Sequence, residues 1–259
     1  MIVCANEINN FIDSVNSLAK NNPFACRIIS LYYSYKPELA FVDYWLAADD
    51  NGNINGAIAR NGTAFILCLT DNSDIQEISS FMRVAGASSV ICDAKYKLDL
   101  FGMDFVTGSI LLRDALYEDT DSNIEIKEPD IKSAYELLVK CADENFTPPA
   151  FEDYYVDVNH KLRHNTMRMC GIYKEDVLCA VGMTVAESDN GAVLGAIACL
   201  PDFRKQGYGS YVVKYLTNQL LSENKTVFLH RAKNANISFY NNLGYIEIGK
   251  WCEYRVAIG

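Results

Sequence analysis

The chain has 259 residues, 50% of them hydrophobic and 22% charged, the balance of a folded globular protein and not of a disordered or collagen-like one. Its 33 acidic and 23 basic residues leave a net charge of −10, which argues against nucleic acid as a partner and leaves any anion to be held by a local device. Nine cysteines occur without a C-x-x-C pair and mostly inside apolar runs, so buried, reduced thiols are expected and neither a disulfide framework nor a metal site is. Met1–Glu7 lacks the basic and apolar segments of a signal peptide, and no apolar run reaches the roughly 20 residues of a membrane helix. A cytoplasmic protein with no membrane partner is the expectation.

In chain order, an apolar stripe of Ile8, Phe11, Ile12, Val15 and Leu18 predicts a helix over Glu7–Lys20, stopped by Pro23. Strand patterns follow at Arg27–Tyr33, Phe41–Ala48 and Thr63–Thr70, with a hairpin turn at Asp49–Asn53. Ser73–Ala85 reads as a helix, Ser89–Asp93 and Ser109–Leu112 as strands. The acidic, apolar-poor stretch Tyr117–Asn123 is the best linker in the chain. It divides an N-terminal α/β domain, residues 1–120, from a second domain, 124–259.

The second domain repeats the mixed rhythm. Ile124–Lys127 reads as a strand, and Pro129 leads into a helix over Asp130–Ala142, followed by a helix over Phe151–Arg163. Thr166–Tyr173 and Val177–Ala186 read as a hairpin, and Ala192–Leu200 as a strand buried on both faces. A helix is expected over Gly207–Leu221, a strand over Thr226–His230, a helix over Asn234–Leu243 and strand structure over Tyr245–Val256. Gly102–Gly108 echoes Gly244–Gly249, which suggests an internal duplication.

Function is carried by the turn Pro201–Ser210 between an apolar strand and an amphipathic helix. Glycines at 207 and 209 let the backbone approach a ligand, the first N–H groups of the helix have no internal partner, and Arg204 and Lys205 add cations. Such a turn suits a pyrophosphate, although packing alone also explains glycines between a strand and a helix. A Walker loop is excluded by the missing G-K-[ST]. A dinucleotide fingerprint is excluded because Val212 stands at its third glycine.

Arg204-x-x-Gly207-x-Gly209, followed by Phe239-Tyr240-Asn241-Asn242-Leu243-Gly244-Tyr245, resembles the GCN5-related N-acetyltransferases over Ile124–Gly259. The resemblance implies an α/β (α+β) fold: a mixed, mostly antiparallel sheet flanked by helices, with the first half a degenerate copy. It implies acetyl-CoA as co-substrate, no metal, and transfer of an acetyl group to the amine of a small molecule, amino acid or peptide. It implies that main-chain groups of Ile197, Ala198, Cys199 and Leu200 hold the pantetheine arm. Arg204, Lys205, Gln206, Gly207, Tyr208, Gly209 and Ser210 would surround the pyrophosphate. Tyr240 would give a hydrogen bond or proton to the departing thiolate. The family asparagine is displaced here: Lys233 stands at its position, and the contact falls on Asn234.

The acceptor side is thinner. An amine of pKa near 10.4 costs roughly 4–5 kcal/mol to deprotonate at pH 7, and Ala192–Leu200 contains no acid to help. Glu187 is the candidate base, with Glu152 and Asp153 as substitutes. Surface placement is the ordinary fate of each. His160 and His164 lack the glutamate of a zincin motif and read as exposed histidines, and His230 as a structural one. In the first half, Asp71 and Asp74 stand where a cradle would need to be anion-friendly, so no CoA site is expected there. The rival reading is an acyl-CoA-binding module without catalysis, or an enzyme acting on a protein.

Overall fold

The structure, a computed structural model, describes residues 1–5, 10–18, 21–118, 124–144 and 146–256. The expected helix start at Glu7 and Ile8 and residues 119–123 of the expected linker lie outside this set. The chain divides into two compact units, Met1–Ile110 with Ile248–Gly259, and Leu111–Glu247.

The first unit begins with β1 (Ile2–Cys4), α1 (Phe11–Leu18) and α2 (Pro23–Ser34). The run Arg27–Tyr33, expected to be a strand, is helical. Asn22 Oδ1 accepts hydrogen bonds from the Phe24 and Ala25 amides (2.8 and 3.3 Å), and Pro23 occupies the first helical position. Pro23 thus opens a second helix. Burial on nearly every side of α2, including Ile28, Ile29 and Leu31, erased the amphipathic period that would have marked it as a helix.

β2 (Val42–Ala48), β3 (Ile54–Asn61) and β4 (Ala64–Leu69) form an antiparallel meander. α3 (Ile75–Val84) connects β4 to the parallel strand β5 (Ser89–Asp93), and β6 (Met103–Arg113) follows. Phe65, Leu67 and Leu69 pack with Ile78 and Met82 of α3, while α2 covers the other face of β3 and β4.

The second unit repeats this order: β7 (Ile126–Lys127), α4 (Ile131–Lys140), α5 (Phe151–Arg163), β8 (Met169–Lys174), β9 (Val177–Glu187) and β10 (Gly191–Cys199). α6 (Tyr208–Ser222), β11 (Thr226–Ala232), α7 (Ile237–Asn242) and β12 (Ile246–Val256) complete the chain. The strands run β11-β10-β9-β8-β7, antiparallel except for the β10–β11 pair. α6 lies on one face, where Val212, Val213, Leu216 and Leu220 are buried. Each contributes roughly 1.5–3 kcal/mol. Gly182 allows this close approach, because a Cβ there would collide with Val212. α4 and α5 bury Ala134, Leu137, Leu138 and Val158 against the other face.

Two findings bear on the duplication and the domain division. Gly102 and Gly244 both adopt positive φ (77° and 69°) immediately before the last strand of their repeats, so the sequence echo marks equivalent turns. β12, which the sequence reading left with residues 124–259, pairs from residue 251 onward with β5 of the first unit, Trp251 opposite Asp93 and Arg255 opposite Ser89. A pairing partner so distant in sequence leaves no local signal.

Candidate active site

β10 changes character halfway along. Gly191–Leu194 are buried and pair with β11, rung by rung, from Gly191 opposite Thr226 to Leu194 opposite Leu229. The ladder then stops, and Gly195–Cys199 are only half-buried. Between Gly195 and Ala198 the register with β9 slips, and Ala196 takes φ of +48°. This bulge inverts the alternation of faces. Ala192 and Leu194 pack with α6 before it and Ile197 and Cys199 after it, while Ala196, Ala198 and Leu200 turn to the α4–α5 side. Main-chain groups that the β11 ladder would have consumed are left at the parting edge. A strand buried on both faces throughout, as expected from its composition, is therefore found only over its first half.

Beyond Leu200 a single 3-10 turn, Pro201–Phe203, leads to Gly207. Lys205 (φ 61°) and Gly207 (φ 87°) are both left-handed, and nothing lies within 4 Å of where a Gly207 Cβ would stand. The first helical bond of α6 runs from the Tyr211 amide to the Gly207 carbonyl (2.9 Å), no side chain caps the helix, and its first turn holds no acid. The amides of Tyr208, Gly209 and Ser210 thus precede the first helical bond, and the partial positive charge of the helix end is not neutralised locally. Arg204 Nε donates to the Cys199 carbonyl at 3.0 Å, which Cys141 Sγ also approaches at 3.4 Å. Gln206 Nε2 donates to the Asp202 carbonyl at 3.1 Å.

Tyr240 on α7 packs in the α6-side core against Tyr245 and Phe239 and is 8% exposed. Burial pushes its phenol up to about 12, opposed by the nearby Arg231 charge, so at neutral pH it holds its proton. Asn234 is exposed in the β11–α7 turn with φ of 63°, and Asn236 opens α7 with φ of 50°. A left-handed backbone, which asparagine tolerates better than most residues, already accounts for both.

The candidate base does not belong to this end of the strand. Glu187 stands opposite Ala192, and Ala180 opposite Cys199, so Glu187 lies roughly 20 Å away along the ladder at about 3.3 Å per residue. It is 3% exposed and committed: Arg168 donates to both of its oxygens, Lys225 to one (2.7 Å) and the Thr184 hydroxyl to the other (3.3 Å). Glu223 joins from Arg168, and that bonding, with a smaller contribution from Lys225, holds its carboxyl down at about 2. This network floors a cleft of about 500 Å³ whose charges are balanced internally. Glu187, the expected base, is thus held by two cations at the far end of the strand from the β10–α6 turn. Glu152 and Asp153 are exposed in the first turn of α5, and the His160 and His164 rings, 4.1 Å apart and tilted by 30°, bring together no metal set. Among the described residues no group of His, Cys, Asp and Glu is arranged to hold a metal.

Arg231 was missed. It continues the face of Val227 and Leu229 two residues beyond the last β10–β11 rung, is 8% exposed, and pairs with Glu247 at 3.3 Å. A charge in phase with two buried aliphatics was the available signal.

A parting between two parallel strands, a bulge on one of them and an uncapped helix end at its mouth define the fold of the GCN5-related N-acetyltransferases, a fold that serves acyl transfer. Residues 169–256 match the family described as FR47-like protein. No curated protein matches the sequence. Among solved structures, a tandem GNAT protein from the clavulanic acid biosynthesis pathway is 12% identical with a TM-score of 0.59, over 98% of this chain and 97% of its own. A putative GNAT acetyltransferase from Novosphingobium aromaticivorans is 14% identical, TM-score 0.56, over 90% and 97%. A GCN5-related N-acetyltransferase from Kribbella flavida is 15% identical, TM-score 0.55, over 77% and 85%. No helix among the described residues is long and apolar enough to cross a membrane.

Proposed function

We propose that the second unit is an acetyl-CoA-dependent N-acetyltransferase acting on the primary amine of a small molecule, amino acid or peptide. The observation that carries this is the uncapped N-terminus of α6, opening on the parting edge of β10. The residues present fit the co-substrate: free amides face a space with no acid in the first helical turn, where a pyrophosphate needs them. Bound there, acetyl-CoA supplies the activated acyl thioester. The Tyr208, Gly209 and Ser210 amides hold the phosphates, and the edge of Ile197–Leu200 holds the pantetheine arm.

Tyr240 acts as a hydrogen-bond donor to the developing thiolate. Full proton transfer from a phenol near 12 to a thiolate whose thiol has pKa near 8.5 is uphill by about 5 kcal/mol, so the phenol keeps its proton. Arg231 lowers that cost. Tyr240→Phe is expected to cut amine-dependent thiol release from acetyl-CoA about 100-fold while leaving CoA affinity unchanged. Unchanged turnover would remove Tyr240 from the mechanism.

The second reading, an acyl-CoA-binding module without catalysis, is favoured by one observation. β10 carries no acid, and Glu187 is occupied by cations at its other end. Tight CoA binding with no thiol release across an amine panel would select it.

A further inference from the structure

The nine cysteines have no part in the acyl site beyond Cys141 and Cys199, yet two in the first unit face each other. Cys92 on β5 and Cys252 on β12 are directly opposed in an antiparallel pair, with sulfurs 3.5 Å apart and both side chains 0% exposed. Their rung can be identified. The Ala94 amide donates to the Lys250 carbonyl and the Val256 amide to the Ser88 carbonyl, each at 2.9 Å. Rungs of one kind recur at every second residue, which makes Cys92–Cys252 a hydrogen-bonded rung with Cα atoms about 5.5 Å apart. A disulfide spans that distance.

We propose that Cys92 and Cys252 are a site of reversible thiol oxidation, closing to a cross-strand disulfide when the protein meets hydrogen peroxide. In balanced form, one thiolate attacks the peroxide oxygen to give a sulfenic acid and water. The opposing sulfur then displaces the second water, so two thiols and one peroxide become one disulfide and two waters. The hydrogen bond shared with Cys92 holds Cys252 below its ordinary value, against burial and the neighbouring Asp93, so Cys252 is the attacking sulfur. Access comes through the irregular stretch Ala94–Gly102, whose Tyr96, Leu98 and Leu100 pack with both cysteines in one cluster. Opening such a stretch is cheaper than opening a strand or helix.

Side chains on a hydrogen-bonded rung stand at the wide end of the roughly 4.5–5.5 Å range, beyond the ~3.8 Å mean Cβ separation of a relaxed disulfide. The bond therefore forms under tension and yields to thiol reductants, which makes the site reversible. Cys68 does not compete. It lies between Leu67 and Leu69 in the alternation of β4 and faces α2, where it contacts Ala25. The covalent loop would span 160 residues and enclose the whole second unit.

The test treats the full chain with a few equivalents of hydrogen peroxide and maps peptides without reduction. The expected result is a Cys92 peptide joined to a Cys252 peptide with the loss of two hydrogens, and a thermal midpoint raised on the order of 10 °C. Dithiothreitol should reverse both, and Cys68→Ala should leave the cross-link intact. Recovery of Cys92 and Cys252 as free thiols, or of Cys92 joined to another cysteine, would overturn the proposal. The wild-type map decides the matter even where Cys92→Ala does not fold.

Discussion

The β4–α3 and β10–α6 junctions hold the same place in two units built in the same order, and they end in opposite chemistry. At α3, Asp74 Oδ1 accepts from the Gln76 and Glu77 amides at 3.0 and 2.9 Å. Asp71 in the same turn is held by Lys95 (2.9 Å) and the Tyr96 hydroxyl (3.1 Å). At α6 the cap is Gly207, no side chain reaches the amides, and the first turn has no acid. Repeating the scaffold did not repeat the turn. A helix N-terminus attracts an anion only where its own sequence leaves the amides free, and Asp74 already supplies α3 with its carboxylate.

The strands differ in the same sense. β4 runs through its pairing with β3 in one unbroken register, whereas β10 slips at Ala196. The space after β5 is filled by Tyr96, Leu98 and Leu100, all buried, where the second unit has α7 and Tyr240. The first unit thus keeps the element order with a capped helix end and an unbroken strand register.

The sharpest way to break this contrast is to give α6 the residue α3 has. Gly207→Asp, acceptable to the left-handed backbone for its short polar side chain, is expected to weaken CoA binding by about three orders of magnitude with little change in melting temperature. The loss corresponds to displacing two or more charge-assisted bonds of about 1.5–3 kcal/mol each. Next, Glu187→Gln should lower stability by about 2–3 kcal/mol, because Arg168 and Lys225 lose their buried counter-charge. Thiol release by the folded variant should be unchanged, and a parallel loss of turnover would return Glu187 to the acceptor side. The smallest effect is expected from Asp74→Ala, about 1 kcal/mol of stability by denaturant titration. It should open no CoA site, since Asp71 remains in the turn.

Much of the site was legible because its signals are local. Gly207 and Gly209 between an apolar strand and an amphipathic helix announced the elements and the uncapped turn, and Asp74 announced the capped one in the first half. α5 and β5 match their expected limits for the same reason. Three features had no local trace. α2 lost its period to burial, the bulge at Ala196 lies on an alanine that carries no left-handed preference, and β12 found its partner in residues 89–93. The ion pairs of Glu187 left no local trace either: nothing in the sequence near it names Arg168 or Lys225.

Calorimetric titration of the full chain with acetyl-CoA tests the central claim most directly, because stoichiometry reads both junctions at once. The account predicts micromolar binding of one equivalent per chain, abolished by Gly207→Asp and untouched by Asp74→Ala. Two equivalents, or one that survives Gly207→Asp, would contradict the contrast between the junctions. No binding at all would reduce the α6 turn to architecture.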